Sequence, residues 1–373
     1  MSLAGLIFAD AQESGLGRLL NERTQAAVPF GARYRLIDFA LSNLVNANIQ
    51  NVGIILKQNY HSLMNHVTSG SAWDLDRKNG GLQFLPPFAT ADNTDAVYKN
   101  RLEGLIANRT FLKDLNEDYI LFTNAGYAAN LDYAGMLDAH IRSGARATVM
   151  YVRKPAVRSE SVRSVFLRVD REQRVTDLDF DTTKQEGMVC SLESYIFNRE
   201  ELIRLIDEAV RMEKRSLRKD IIVPMIASGG LFGYEAKTSV LFIDSLQSYL
   251  EGSLALLEPE VRSDIFESEN GPVITKIKDS APAKYGESAA VSNSLIASGA
   301  VVEGTVRNSV IFRGVRVEKG AEVDHCVLMQ NAVISEGSNL SYAILDKNSF
   351  VEKDRKLAGY LTHPFMLDRG ERI

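Results

Sequence analysis

The chain has 373 residues, of which 45% are hydrophobic and 24% are charged, and its formal net charge at pH 7 is −5. This length favours two domains rather than one. The acidic balance argues against the basic face that a nucleic-acid-binding protein needs, although a local basic pocket for a small anion is compatible with it.

The N-terminus and the two cysteines bear on the cellular compartment. The apolar stretch at residues 3–9 is too short for a signal-peptide core with its cleavage site, and too short for a membrane span. Cys190 and Cys326 lie far apart in apolar contexts. We therefore expect buried free thiols and a cytoplasmic protein without a membrane segment.

The first two-thirds of the chain alternates short apolar runs with polar stretches of helical pattern. The predicted elements are, in chain order, a strand at 6–9, a helix at 35–48, strands at 52–56 and 119–122, a helix at 132–142, and strands at 147–152 and 165–169. This alternation predicts an α/β, Rossmann-like domain whose parallel sheet is covered by helices on both faces. Ligands of such sheets bind beyond the carboxyl ends of the strands.

From about residue 292 the sequence becomes repetitive. Apolar residues recur every six positions in two rows, which are Ile311, Val317, Val323 and Met329, and Val315, Ala321, Val327 and Val333; after a slip of one residue, Ile334 and Leu340 continue the first row. A six-residue period punctuated by glycines predicts a left-handed parallel β-helix of hexapeptide repeats. The alternative is a hairpin-rich sandwich, which rarely keeps a fixed period.

Several motifs resemble those of bacterial ADP-glucose pyrophosphorylases. AAVPFGARYRLIDFALSN at 26–43 is similar to the family's P-A-V-P-F-G-G-K-Y-R-I-I-D-F-x-L-S-N, and GSAWDLDR at 70–77 to its G-x-x-W-D-L-D-R. Residues 85–88, 93–100 and 306–323 extend the likeness over nearly the whole chain. The resemblance implies a glucose-1-phosphate adenylyltransferase, which uses magnesium to make ADP-glucose and pyrophosphate from ATP and glucose 1-phosphate in glycogen biosynthesis.

Together with the patterns above, the resemblance predicts three segments. Residues 1–240 form a GT-A-like nucleotidyltransferase domain, 241–290 a helical and irregular linker, and 291–373 the β-helix. Within the first segment, Asp132 matches a motif position that we interpret as a helix N-cap, and Trp73 is expected to be a packing residue.

The positions that would carry the family's phosphate chemistry are altered. At the glycines of the nucleotide loop the chain has Asp10, Ala11 and Glu13, and Gly15 stands at the loop's arginine. Carboxylates at this place repel a triphosphate. Gln25 replaces a phosphate-binding lysine, and a neutral amide cannot form the charge-assisted bond.

The remaining family positions are altered as well. Gly126 and Gln247 stand where the resemblance places two metal-binding aspartates, and Asp181 stands at the sugar-phosphate lysine. Asp244 lies three residues before Gln247, and only a local shift of the alignment would bring it into the site. We therefore predict no catalytic residue, no metal site and no cofactor in this chain.

With these altered positions, the chain resembles the GlgD-type regulatory subunit of Gram-positive bacteria, an inactive paralogue that associates with a catalytic subunit. It implies a hetero-oligomer, expected to be a tetramer, and an effector that is a sugar phosphate or a nucleotide. Two alternatives remain open: an active adenylyltransferase with a rebuilt site, and a stand-alone sensor of sugar phosphates or nucleotides.

Basic side chains supply the candidate effector site. The candidates are Arg23, Arg33, Arg35, Arg313 and Arg316. Solvated or structural ion pairs are the alternative for the first three, and contact with a partner is the alternative for the two arginines of the β-helix. Two histidines, His61 and His66, are interpreted as plain surface residues because no third metal ligand accompanies them.

Overall fold

The computed structural model describes residues 2–10, 15–87 and 98–373. The strands before the repetitive region are β1 Leu3–Phe8, β2 Pro29–Phe30, β3 Tyr34–Arg35, β4 Asn51–Ile55, β5 Gly81–Leu85, β6 Tyr119–Asn124, β7 Tyr127–Ala128, β8 Ala147–Val152, β9 Ser164–Val169, β10 Val175–Asp181, β11 Val189–Asn198, β12 Leu231–Glu235 and β13 Leu241–Phe242. The helices are α1 Leu36–Asn46, α2 His61–Val67, α3 Arg101–Ala107, α4 Arg109–Asp114, α5 Tyr133–Ser143, α6 Arg199–Arg211, α7 Val223–Ala227, α8 Leu246–Ala255 and α9 Pro259–Phe266.

One large sheet organises the N-terminal domain, in the order β10-β9-β11-β6-β1-β4-β5, with β8 beside β11 and β12 beside β8. The pairs of β1 with β4 and β6 are parallel, whereas β11 runs antiparallel to β6, β8 and β9. The prediction of a parallel sheet is therefore confirmed for β1, β4, β5 and β6. It is wrong for the part of the sheet that contains β9, β10 and β11. Residues 170–174 alone join β9 to β10, and so short a connection permits only an antiparallel pair.

The predicted strands and helices are present. The predicted strands correspond to β1, β4, β6, β8 and β9, and the predicted helices correspond to α1 and α5. Asp132 is the N-cap of α5, where its carboxylate accepts the Gly135 amide at 2.7 Å. Trp73 is buried, as predicted, and so are the free thiols of Cys190 and Cys326.

The repetitive region forms a left-handed parallel β-helix. Its strands, in chain order, are β14 Lys284–Tyr285, β15 Ala290–Ser292, β16 Leu295–Ile296, β17 Val301–Val302, β18 Thr305–Arg307, β19 Val310–Ile311, β20 Arg316–Val317, β21 Glu322–Asp324, β22 Val327–Leu328, β23 Val333–Ile334, β24 Asn339–Ser341, β25 Ala343–Leu345, β26 Phe350–Val351, β27 Lys356–Ala358 and β28 Phe365–Leu367. They assemble into three five-stranded parallel sheets.

The apolar rows point into the β-helix with one exception. Val317 pairs with Ile334 and both are buried, as the slip of one residue predicts. Val333 pairs with exposed Arg316 and is only half-buried, so its assignment to the second row was wrong. The first strand of the β-helix, β14, lies inside the segment 241–290 that we had assigned to the linker.

The two domains share a hydrophobic core. Phe30, Phe39 and Tyr249 of the first domain belong to the same cluster of buried residues as Val310 and Ile344 of the β-helix. Helices α8 and α9 pack in this cluster and so join the domains rather than separate them. None of the helices described is long and apolar enough to cross a membrane.

Candidate functional site

The first candidate site is a cleft at the carboxyl end of β6, beside the first residues of β11 and the segment that precedes α8. It is lined by Gln25, Arg101, Asn124, Gly126, Val162, Arg163, Ser164, Val165, Phe180, Ser191, Leu192, Glu193, Arg218, Phe242 and Asp244. Its volume is about 70 Å³, well below the ~300–1,000 Å³ of typical ligand pockets. A nucleotide would not fit in this cavity as it stands.

Hydrogen bonds within the chain already use the groups at the two central altered positions. Gln25 Nε2 donates to the Ile243 carbonyl at 2.6 Å. The amide of Gly126 donates to Asn124 Oδ1 at 2.9 Å, and a Cβ at position 126 would lie 2.9 Å from that same oxygen. The cleft is therefore closed by its own polar groups at the place where the family resemblance puts a metal carboxylate.

Gly15, which stands at a family position of the nucleotide loop, contacts the segment that precedes α8. The Gly15 amide donates to the Asp244 carbonyl at 2.5 Å, and a Cβ at position 15 would lie 3.3 Å from that carbonyl oxygen. Burial raises the pKa of Asp10 to about 6, against the smaller opposing effects of the Gln25 amide and Lys57. Ala11 and Glu13 lie outside the described residues.

Two of the altered positions do not face the cleft. Asp181 is exposed at the end of β10, where its carboxylate accepts the Thr182 amide, and its neighbour Phe180 lines the cleft because side chains alternate along a strand. Gln247 lies on α8 and donates to Glu251 at 2.9 Å. Neither Asp181 nor Gln247 lines the cleft, although both stand at positions that the family resemblance places in the site.

The cleft carries arginines that the sequence analysis did not consider. The guanidinium of Arg218 stacks on Phe180 with its central carbon 3.5 Å from the ring centre, and that of Arg163 lies 4.3 Å from the same centre. Glu193 forms ion pairs with Arg101 at 3.2 Å and with Arg218 at 3.9 Å. No sequence motif signals this cluster, because its members come from separate loops and helices.

The residues present do not fit a magnesium ion. Besides Glu193, the carboxylate lining the cleft is Asp244, which accepts from Ser248 Oγ at 2.8 Å. Burial raises the pKa of Asp244. Among the described residues, no group of three or more His, Cys, Asp or Glu side chains is arranged to hold a metal. Magnesium is usually held by one or two carboxylates together with water and substrate phosphates, and here one carboxylate is ion-paired and the other hydrogen-bonded.

The second candidate site lies between the domains, and we call it the interface pocket. It is lined by Pro29, Ala32, Arg33, Tyr34, Arg35, His66, Lys276, Lys278, Phe312, Arg313, Gln330 and Lys347. Its volume is about 40 Å³, which is space for about three water molecules or one small oxyanion. Six of its side chains are cationic, and this concentration of charge favours an anionic ligand.

The interface pocket unites only part of the predicted arginine set. Arg33, Arg35 and Arg313 line it, whereas Arg316 is exposed on β20 and does not. Arg23 is also excluded, because it is buried and bound to Asp346 through three hydrogen bonds of 2.8–3.0 Å. For Arg23 the structure therefore favours the alternative of a structural ion pair.

The sequence analysis missed the lysines of the pocket. Lys276 and Lys278 follow α9 on an irregular segment, and Lys347 follows β25. The sequence KIK at 276–278 is too common a pattern to indicate a binding site. Only the fold brings its two lysines next to the β-helix.

His66 also departs from its interpretation as a surface residue. It is buried at the edge of the interface pocket, and its Nε2 lies 2.6 Å from Asp38 Oδ1. The other oxygen of Asp38 accepts Thr275 Oγ1 at 2.5 Å and the Arg35 amide at 3.0 Å. This fully buried carboxylate thus holds α2, the start of α1 and the segment of Lys276 around the pocket. His61 is exposed, as predicted.

An adjoining cavity of about 320 Å³ extends the interface pocket. The two share Ala32, Arg33, Tyr34 and Arg313, and the second is lined further by Gly31, Arg262, Phe266, Leu295, Ile296, Ala297 and Ser298. Tyr34 stacks on Phe266 with ring centres 5.1 Å apart. The combination offers a cationic end for a phosphoryl group and a more apolar space for an organic body.

A larger groove of about 960 Å³ lies between α5, β12 and residues 268–270. It contains none of the predicted site residues. Its carboxylates, Asp132, Glu172, Glu235 and Glu269, outnumber its cations, Arg142 and Lys237. It is therefore less suited to a phosphorylated ligand than the interface pocket.

Comparisons with known proteins agree with the two-domain architecture. A nucleotidyl transferase family model matches residues 16–250, and a GlmU-like C-terminal hexapeptide model matches residues 280–360. The glucose-1-phosphate adenylyltransferase of Thermotoga neapolitana is 33% identical over 326 residues, which cover 86% of this chain and 76% of the relative. That of Bacillus cytotoxicus is 30% identical over 354 residues, which cover 93% and 92% of the two chains. The chain belongs to the glucose-1-phosphate adenylyltransferase family.

Proposed function

We propose that this chain is a non-catalytic, regulatory subunit that assembles with a catalytic glucose-1-phosphate adenylyltransferase. The observation that carries the proposal is the self-occupied cleft. Gln25 and the Gly126 amide are bound to groups of the chain itself. Of the carboxylates there, Glu193 is ion-paired with arginine. These groups cannot position a nucleotide and a metal without first breaking existing bonds.

The altered positions also imply a large loss of transition-state stabilisation. Metal participation in phosphoryl or nucleotidyl transfer supplies several kcal/mol of transition-state stabilisation. Each loss of about 1.4 kcal/mol lowers the rate tenfold. Because the nucleotide loop, the lysine position and the metal position are all altered, the expected rate is negligible.

The regulatory part of the proposal rests on the interface pocket. Its cations come from both domains, so an anion bound there contacts Arg35 of the first domain and Arg313 of the β-helix together. A bound anion would thus favour one relative placement of the domains. We propose a sugar phosphate or a nucleotide as the effector, with its phosphoryl group in the interface pocket and its organic part toward the adjoining cavity.

The test is an assay of ADP-glucose synthesis. This chain alone, a catalytic homologue from the same organism alone, and their mixture are compared at saturating substrates and magnesium. We expect negligible turnover for this chain, and a mixture whose rate or effector response differs from that of the catalytic subunit alone. Turnover by this chain within tenfold of the catalytic subunit would contradict the proposal.

A second candidate function is a stand-alone sensor of phosphorylated metabolites. It is favoured by one observation: the six cations of the interface pocket and the adjoining cavity form a ligand-sized space within this chain. Co-elution of the two subunits on size-exclusion chromatography separates the candidates. A sensor with no partner would elute unchanged in the mixture, and a regulatory subunit would shift to the larger complex.

A further inference from the structure

Lys347 occupies an unusual electrostatic position in the interface pocket. It follows β25 directly and lies next to Asp346, but both oxygens of that carboxylate are bonded to the guanidinium of Arg23. The Lys347 amide donates to Asp346 Oδ1 at 2.7 Å. Among the described residues, no carboxylate forms an ion pair with the Lys347 ammonium.

The groups around Lys347 are mostly cations. Arg23, Arg35 and Lys278 lie close enough to act on its charge. The pocket wall adds Arg33, Arg313, Lys276 and the phenol of Tyr34. His66 and Asp38 form their own buried hydrogen bond at the edge. Asp346 offsets this charge only in part, because its carboxylate is ion-paired with Arg23.

These surroundings make Lys347 the group that most readily loses its charge. Burial, followed by the charges of Arg35 and Arg23, lowers the pKa of Lys347 to about 7. The pKa of Arg35 is lowered only to about 10, mainly by burial, so its guanidinium stays charged at neutral pH. Burial also lowers the pKa of Lys278, which is more exposed to solvent than Lys347.

We propose that a small oxyanion entering the interface pocket brings a proton with it, and that Lys347 receives that proton. The inference rests on the proposed effector site and names a regulatory property of it. A bound dianion adds negative charge to the partial compensation that Asp346 gives, so it favours the ammonium form of Lys347. No covalent step is involved, and the proton comes from solvent.

The proposal fixes the direction of the pH dependence. Below about pH 7 Lys347 is already protonated, so binding of the anion takes up few protons. Above that pH Lys347 of the unbound protein is increasingly deprotonated, so binding of the anion must be accompanied by uptake of a proton. The apparent affinity therefore falls as pH rises, until the raised pKa of the bound state is passed.

Sulfate is the probe that tests this, because it stays fully ionised throughout the range and any proton taken up goes to the protein. The full-length protein is titrated with sodium sulfate by calorimetry from pH 6.5 to 8.5, at constant ionic strength. Two buffers with different enthalpies of ionisation give the number of protons taken up. We expect the Kd to increase about tenfold over the range, with uptake of most of one proton at pH 8.

Two lysine-to-arginine variants locate the proton. Lys347→Arg keeps a cation that cannot be deprotonated, so it should bind sulfate with little pH dependence and no proton uptake. Lys278→Arg tests the other lysine with a lowered pKa and should keep the proton uptake, whatever its affinity for sulfate. Lys356→Arg, at an exposed position outside the pocket, is the matched control and should retain both the affinity and the proton uptake of the unmodified protein. Far-ultraviolet circular dichroism checks that all three variants are folded.

The outcomes separate the inference from the proposed function. Sulfate binding without proton uptake in the unmodified protein overturns the inference and leaves the effector site standing. Retained pH dependence in Lys347→Arg, with loss in Lys278→Arg, also overturns it. Absence of sulfate binding at every pH overturns both the inference and the effector site, while the regulatory effect on a catalytic subunit is still decided by the assay of the mixture.

Discussion

Arg23 and Asp346 form an ion pair of 2.8 Å across the two domains, and their side chains are only 3% and 4% exposed. The guanidinium also donates to the second carboxylate oxygen from both of its terminal nitrogens. The pair has two consequences: it engages Arg23 in a structural ion pair, and it leaves Asp346 to compensate the cations of the interface pocket only in part.

The first prediction concerns this pair. Arg23→Met leaves the buried carboxylate of Asp346 uncompensated, and should lower the free energy of unfolding by about 3–5 kcal/mol. The double variant Arg23→Met with Asp346→Leu should lose less, because no charge is then left unpaired. Urea unfolding of the three proteins measures both effects. Equal losses for the single and double variants would show that the carboxylate is stabilised by something other than Arg23.

The second prediction concerns repair of the cleft. Gly126→Asp alone should give no measurable ADP-glucose synthesis, because the nucleotide loop and Gln25 still lack the groups that bind phosphate. It should also destabilise the fold slightly, since its Cβ would approach Asn124 Oδ1 to 2.9 Å. Gly126→Ala is the matched control, with the same crowding and no carboxylate. Turnover in Gly126→Asp but not in Gly126→Ala would contradict the account of the cleft.

A broader repair should begin to restore activity only when the loop and the cleft are changed together. The relevant set is Asp10→Gly, Ala11→Gly, Glu13→Gly, Gly15→Arg, Gln25→Lys and Gly126→Asp. Adding Asp181→Lys and Gln247→Asp should contribute little, because Asp181 is exposed and Gln247 bonds to Glu251 outside the cleft. Radiolabelled glucose 1-phosphate incorporation compares the two sets, and a strong dependence on the last two changes would show that these side chains do reach the substrates.

The third prediction concerns assembly. The first coil of the β-helix has an edge without a neighbouring strand, where Tyr285 and Val291 are exposed by 52% and 37%. Open edges and apolar surfaces favour association. Val291→Glu should weaken or abolish the mixed complex with a catalytic subunit, as judged by co-elution, whereas Lys356→Glu at the far end of the same sheet should not. A complex of unchanged size with Val291→Glu would place the contact elsewhere.

Truncation after residue 284 is a poorer test than the sequence suggests, because it would expose the core that the domains share.

The fourth prediction concerns acid stability. His140 is buried, its Nδ1 lies 2.8 Å from Thr148 Oγ1, and burial lowers its pKa to about 4. A histidine whose pKa is lowered on folding binds fewer protons when folded, so stability falls as pH decreases from about 6.5 toward 4. The full effect is on the order of 3 kcal/mol. His140→Gln should flatten this part of the pH profile of the urea midpoint, while His61→Gln, at an exposed position, should not change it.

The sequence by itself determined the two kinds of architecture. A period of six residues with glycine turns specifies a β-helix almost independently of its surroundings, because each coil repeats the same local contacts with its neighbours. The error at Val333 came from the slip of one residue, since a shift of one position turns a strand residue from the interior to the outside. The direction of β11 was not predictable in the same way, because strand pairing depends on connections and partners far apart along the chain.

The candidate site depended more on tertiary structure. The altered positions Gln25 and Gly126 were identified from the sequence, and the structure places both in the cleft. The arginines beside them, the position of Asp181 outside the cleft, and the presence of Lys278 and Lys347 in the pocket of Arg35 and Arg313 could not be predicted. Electrostatic effects act through space over distances unrelated to sequence separation. Whether an arginine binds an effector or a buried aspartate is therefore decided by the packing of the two domains, as the contrast between Arg35 and Arg23 shows.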